Sequence, residues 1–473
     1  MRYERTPGMK LLFAVLIGAA LIVPLLMVYG LVSDRQHQAR VAQDSIAAGW
    51  AGPQIVSGPV LVIPYYSTRV TNEVDNGRTV TRSEQVREEL YLSPENQAVD
   101  TQIDPEVKER AIYKSVIYSV GVTGSASFRI PDDLSRFGID ADQLILSDAE
   151  IRLGMSDPRG LQTDARLSVD GRAMELKPGK GVAATNGAGV HTFYDWSDGQ
   201  PIALKWSYTL RGSRSISLVP RGKDTKWTAH SSWPHPSFTG SFLPGEGDQS
   251  TNADGFKAKW SISNLALGQP MVMETDPSVY IEADDGIIPA VEPAMVDSNR
   301  RASPMSRAAT IRLVEPVDLY SRVDRAVKYG FLFIGFTFLA FLMFDVVGGA
   351  RVAAAEYLLT GAGLVLFFVM LLAFAEMIGF VLAYLVASAA IIGLLTSYSA
   401  AVLGSWRRAQ VIGGLLIGLY ALLYVLLNLE AWSLVIGSVL LFIALAAVMY
   451  ATRRIDWSRT SVAMDDENAG HPA

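Results

Sequence analysis

The chain has no cysteine, which excludes a disulfide framework, a thiol nucleophile and a thiolate metal site. Histidine is sparse as well, with 5 in 473 residues, and His191, His230 and His235 match no zinc spacing and have no adjacent carboxylate. Positive charge is not in excess. Lys and Arg number 41 against 47 Asp and Glu, for a net charge of -6 and a pI near 5.5, so a nucleic-acid partner is not expected. Signatures of common enzyme chemistry are missing too. The sequence has no G-x-S-x-G elbow, no H-E-x-x-H helix and no G-x-x-x-x-G-K phosphate loop. Gly187-Ala188-Gly189 lacks the strand and helix of a dinucleotide site. Neither an enzyme, nor a cofactor, nor a metal is expected.

Charge is absent from long stretches. Leu11 to Val32 carries none, and the chain from about Tyr329 to Tyr450 is apolar apart from short turns. A helix needs roughly 20 apolar residues to cross ~30 Å of hydrocarbon, which predicts spans near 11–32, 329–348, 357–375, 377–402, 411–428 and 432–450. The segment 357–402 is too long for one crossing, so Glu376 and the following Met-Ile-Gly mark a tight hairpin. Gly18-Ala19-Ala20 offers small residues for signal cleavage, but apolar sequence continues past them, so the first span is expected to stay as an anchor.

Orientation follows from Lys and Arg in the short loops. With the N-terminus inside, Arg2, Arg5, Lys10, Arg351, Arg407, Arg408, Arg453, Arg454 and Arg459 fall on the cytoplasmic side. Arg322, Arg325 and Lys328 are exceptions at the end of a long domain, where charge opposes translocation less. The expected organisation is a cytoplasmic start (1–10), an anchor (11–32), an external domain (33–328), a five-helix bundle (329–450) and a cytoplasmic polar tail (451–473). In a bacterium the external domain is periplasmic.

That domain is large enough for a sizeable core or two smaller ones. Its pattern is that of strands. Even positions from Val116 to Ile130 are apolar or small, while Leu204, Trp206, Tyr208 and Leu210 alternate with polar residues, as do Phe256, Ala258, Trp260 and Ile262. Ile151, Leu153 and Met155 repeat the pattern briefly. Asp170-Gly171 between two short runs signals a hairpin with a primed turn. Gly58-Pro59 leads into Val60 to Ile63, a buried strand expected to end at Pro64. Asp34 to Ala48 continues the first span as a polar helix until Gly49, Gly52 and Pro53. The fold class is α+β membrane protein: a large all-β, sandwich-like domain inserted between one N-terminal transmembrane helix and a bundle of about five more.

Several long strings are distinctive: GPQIVSGPVLVIPY (Gly52 to Tyr65), RGSRSISLVPRGKDTKW (Arg211 to Trp227), SSWPHPSFTGSFLP (Ser231 to Pro244) and VDRAVKYGFLFIGFTFLAF (Val323 to Phe341). With LAYLVASAAIIGLL (Leu382 to Leu395) and MYATRRIDW (Met449 to Trp457), they resemble the inner membrane protein CreD family from about residue 10 to 458. The resemblance implies an inner-membrane protein tied to cell-envelope integrity and an envelope-related response, without a catalytic activity or ligand.

Two groups of residues stand out. Trp233, His235, Phe238 and Phe242 gather flat rings and rigid Pro234 and Pro236 in one loop, which suits stacking on an envelope protein, glycan or lipid partner. The plain alternative is aromatic residues closing the end of a sandwich. In the membrane, Asp345 and Glu376 are the charges of most interest, since burying one in hydrocarbon is costly. With Glu356 and Glu430, they read best as boundary charges. Gly414 and Gly418, and the polar run Tyr384 to Ser399, suit helix packing, and Trp406, Trp432 and Trp457 suit interfacial belts. Two functions follow. In the first, a non-catalytic envelope protein binds a component or partner through its β domain. In the second, the bundle moves a lipid or small solute. A sensor is disfavoured by the short cytoplasmic loops, and oligomeric state stays open.

Overall fold

The computed structural model describes residues 7–75, 78–132, 134–137, 139–276, 278, 307–314, 319–346, 352–428 and 433–453. Arg351, Glu430, Trp432, Trp457 and the tail beyond 453 lie outside the described residues. The chain divides into two compact units, Met1–Ala39 with Val317–Ala473, and Arg40–Pro316.

The first unit is helical. Its helices are α1 (Pro7–Ala20), α2 (Ile22–Trp50, of which Arg40 to Trp50 belong to the second unit), α3 (Leu319–Lys328), α4 (Gly330–Val346), α5 (Ala354–Ile378), α6 (Phe380–Val402), α7 (Trp406–Asn428) and α8 (Ser433–Thr452). Among the described residues, five helical stretches are long and apolar enough to cross a membrane: Met9–Trp50, Leu319–Asp345, Ala354–Ile378, Phe380–Val402 and Trp406–Asn428. The expected last span falls on α8, which has 20 residues. α1 and α2 meet at Leu21, whose amide bonds to Ile17 at 3.0 Å. Pro24 has no N–H to return to the Ala20 carbonyl, which accounts for the break. The second span starts well before its expected residue 329, because α3 is amphipathic. It buries Tyr320, Val323, Ala326 and Val327, the spacing of one helix face. Gly379, with φ +79°, makes the hairpin between α5 and α6 on its own, so Glu376 sits in the last turn of α5. Inside the unit, the Phe367 ring meets Phe368, Tyr384 and Tyr420 edge-on, with centroids 5.0, 5.6 and 4.6 Å away.

The second unit is built of strands, four of them long: β1 (Gln54–Asp75), β2 (Arg78–Leu92), β3 (Asn96–Arg110) and β4 (Tyr113–Phe128). Then come β5 (Ala149–Met155), β6 (Arg166–Val169), β7 (Arg172–Met174), β8 (Lys177–Pro178), β9 (Gly189–Tyr194) and β10 (Ile202–Ser213). The rest are β11 (Ser215–Val219), β12 (Asp224–Ser231), β13 (Pro236–Gly240), β14 (Gln249–Asn252), β15 (Gly255–Ser263), β16 (Val272–Met273) and β17 (Ala309–Leu313). One sheet has the order β13-β17-β11-β1-β5-β9-β8, with β2 and β16 continuing from β1, and the other has the order β14-β15-β12-β3-β4-β10-β6-β7. Pairing is antiparallel except for β1 with β11 and β3 with β12.

One continuous core fills the space between the sheets. Leu61, Ile151, Leu153, Ile216 and Ile311 come from the first sheet, and Val120, Leu204, Trp206, Trp227 and Trp260 from the second. Trp227 and Trp260 are register partners whose rings stack 4.3 Å apart. Asp170 and Gly171, with φ +50° and +82°, form the primed turn between β6 and β7. Pro64 does not end its strand, contrary to expectation. Its carbonyl accepts from the Ile145 amide at 2.8 Å, on the side where β5 has already stopped at Val62. The N and O of one strand residue point the same way, so the missing N–H removes no bond to β2.

Candidate functional site

The loop singled out in the sequence lies between β12 and β14. The Trp233 indole donates to the Val314 carbonyl at 3.0 Å, and its ring packs against the core. Phe238, opposite Ile311 on β17, meets Phe256 and Trp260 edge-on at 5.7 and 5.6 Å. The ring of Phe242 packs on the same core, and its carbonyl accepts the Trp260 indole proton at 3.2 Å. His235 is exposed and is held by its backbone, which accepts from the Val314 amide at 3.3 Å. The loop therefore brings three aromatic rings onto one end of the core and leaves His235 outside. The three histidines do not converge: His191 lies on β9 in the first sheet, while His230 lies on β12 in the second. Among the described residues, no group of three or more His, Cys, Asp or Glu is placed to hold a metal.

The two membrane carboxylates are paired with the first helices. Asp345, its side chain 1% exposed, accepts from Lys10 at 2.7 Å, and Glu376 accepts from the Tyr320 hydroxyl at 3.3 Å and lies 3.8 Å from Arg35. A buried carboxylate without a counter-charge would be strongly destabilising, so these pairs fasten α1 and α2 to the rest of the helical unit.

A third arrangement escapes sequence reading because it depends on register. On the outer face of the second sheet, Asp104, Ser119 and Arg211 form one row across β3, β4 and β10. Thr209 and Gln102 flank Gly121 in the next row, and a side chain at Gly121 would meet nothing within 4 Å. Over these rows stands Trp50, the last residue of α2, with its indole donating to the Tyr118 carbonyl at 3.2 Å. The Arg211 guanidinium lies 4.3 Å from the Trp50 ring centre and the Lys108 ammonium 5.1 Å. Trp50 and Arg211, together with Asp104, Glu106, Ser119, Gln162 and Thr209, line a cleft of ≈ 540 Å³. It offers an aromatic ring, carboxylates, a guanidinium and neutral donors within one small volume, which is the chemistry for gripping a hydroxyl-rich molecule.

Charges on the outer face of the first sheet, by contrast, satisfy one another. Arg152 on β5 reaches Glu89 at 2.7 Å and Glu150 at 2.8 Å, and Lys180 reaches Glu150 at 2.6 Å. Burial pushes both carboxyls up, but the bonds and charges of these cations outweigh it and hold them below the ordinary range. Burial also lowers His191 on the neighbouring strand. Nearby, Arg221, 1% exposed, binds Asp276 at 2.6 and 3.1 Å and Ser278 at 2.7 Å.

The sequence profile described as "Inner membrane protein CreD" matches residues 6–458. The inner membrane protein CreD of Escherichia coli (strain K12) is 30% identical over 452 residues, covering 93% of this chain and 92% of that protein. Apolar helices, the inserted sandwich and this near full-length match agree, and the chain belongs to the CreD family of inner membrane proteins.

Proposed function

We propose that this is a non-catalytic inner-membrane protein that supports cell-envelope integrity, with both termini cytoplasmic and the sandwich in the periplasm, where it binds an envelope component. The observation that carries this reading is the cleft beside Trp50. Its volume of ≈ 540 Å³ is in the range of small-ligand sites, and its walls combine a ring face with acidic, basic and hydroxyl groups. Saccharide units of an envelope glycan fit that chemistry: sugars stack on indoles and divide their hydroxyls between carboxylates and guanidinium groups. Trp233, Phe238 and Phe242 pack on the core, and His235 is the exposed member of that loop.

The test is photocrosslinking in intact cells from a reactive residue at Gln162, compared with one at His235. Capture of glycan at Gln162 that is lost in Glu106→Lys, an exposed position, is expected. A folded protein that captures nothing at Gln162 would sink the cleft reading, and capture at His235 alone would move the site to the loop.

Lipid handling by the helical unit is favoured by a separate observation. A crevice of ≈ 300 Å³ runs between α1–α2 and α4, lined by apolar residues including Ala14, Gly18, Phe338 and Leu342, and it suits an acyl chain. Accelerated lipid exchange by purified protein in vesicles, slowed by Gly18→Leu, would support it.

A further inference from the structure

Strands β1 and β2 stay paired from Leu61 opposite Leu92 out to Asp75 opposite Arg78. Among the described residues, nothing accompanies most of that length. β5 follows β1 only to Val62, a single bridge joins Tyr65 to Leu144, and β16 meets β2 only at Tyr91 and Leu92. A two-stranded ribbon of about 30 Å therefore projects from the sandwich. Such a ribbon is marginal in water on its own, and the open edge of its outer strand is a template for another strand.

Edges avoid pairing by means of charges, prolines or bulges, and a charge blunts an edge only where the facing strand does not match it. The β2 edge carries alternating signs in a self-complementary order. Thr81, Arg82, Ser83, Glu84 and Gln85 are all exposed. If two copies of this segment run antiparallel about Ser83, Arg82 of each stands opposite Glu84 of the other, and Thr81 stands opposite Gln85. In the sequence the same relation continues outward, setting position 80 (Val) against Val86 and position 78 (Arg) against Glu88. Neighbouring registers are penalised, since centring on residue 82 sets Arg82 against itself, and centring on residue 84 does the same for Glu84. Opposite charges facing across strands are stabilising and like charges are not.

We propose that a second copy of this chain pairs with it through the β2 edges, antiparallel about a two-fold axis at Ser83, joining two ribbons into one four-stranded sheet. This is an isologous contact, with one patch used by both copies. It does not depend on what the Trp50 cleft binds.

The native chain has no cysteine, so a single introduced thiol reports on its own position. In full-length protein in membranes, Ser83→Cys is expected to form a disulfide dimer on mild oxidation, since facing residues in antiparallel strands lie within disulfide reach. Thr81→Cys or Gln85→Cys alone should give little, while co-expressing the two should give a mixed dimer. Adding Arg82→Glu to Ser83→Cys should cut the dimer about tenfold, as should Glu84→Arg. Co-expression of those two charge variants should restore a dimer between unlike copies, which shows that each is folded. Equal crosslinking at residues 81, 83 and 85, none at Ser83→Cys, capture of a different protein, or no rescue between the charge variants would each overturn the proposal.

Discussion

Arg221 and Asp276 show what a buried ion pair asks of its surroundings. Each is nearly inaccessible, and removing one leaves the other charged without a partner, so Arg221→Ala is expected to cost about 3 kcal/mol in urea unfolding followed by tryptophan fluorescence. Burial raises the Asp276 carboxyl, but Arg221 and two backbone amides outweigh it and hold the group below its ordinary value of 3.8. A carboxyl lowered on folding stabilises above its unfolded value and loses that contribution as pH falls towards the folded one. Stability should therefore decline below pH 3.8, and Asp276→Asn should make that decline shallower at the expense of lower stability at neutral pH. Gly124 makes a different point. It falls on the apolar face expected from the alternation after Val116, yet its reason for being glycine lies on β10. A side chain there would start 2.1 Å from the Trp206 ring, its register partner. Gly124→Ala should cost about 1–3 kcal/mol by overpacking, measured by thermal unfolding.

At the scale of elements, the sequence was most legible where a rule is local. Period-two runs became β4, β5, β10 and β15, Asp170-Gly171 became a hairpin, and of Glu376-Met-Ile-Gly only the glycine, Gly379, became the turn between α5 and α6. Where the outcome depended on a distant neighbour, local rules failed. Pro64 is tolerated because of where β5 stops, and α3 begins early because its buried face has helices to meet. The candidate membrane charges show both sides: their rarity was visible, but the pairing of Asp345 with Lys10 joins positions far apart in the chain. Asp345→Asn should leave the ammonium unmatched and lower the midpoint of thermal unfolding in detergent, a loss of about 3 kcal/mol. Asp345→Leu combined with Lys10→Met should recover much of it, since apolar groups of similar volume often replace a buried pair without loss.

For the whole molecule, an inserted sandwich between apolar helices could be read from hydropathy alone, whereas the cleft could not. Thr209 and Arg211 share the polar face of a predictable strand, but the alignment of Arg211 with Ser119 and Asp104 is set by the pairing of three strands, and Trp50 is delivered by a helix from outside the sheet. One core unites both sheets, so residues 40–316 expressed alone are expected to unfold in a single cooperative transition. Two separate transitions by circular dichroism would instead reveal subdomains.

The parallel contact of β1 with β11 bears on how the protein is made. Gln54 waits for Ile216, and Ile216 in turn pairs with Ile311, so β1, which meets β2 and β5 early, gains the β11 and β17 side of its sheet only when nearly the entire insert has followed. Closing such distant pairs is slow. During that interval the β11 side of Gln54 to Ser57 is an open edge, and the nascent chain is at its most vulnerable to proteases and to sticking to its own copies.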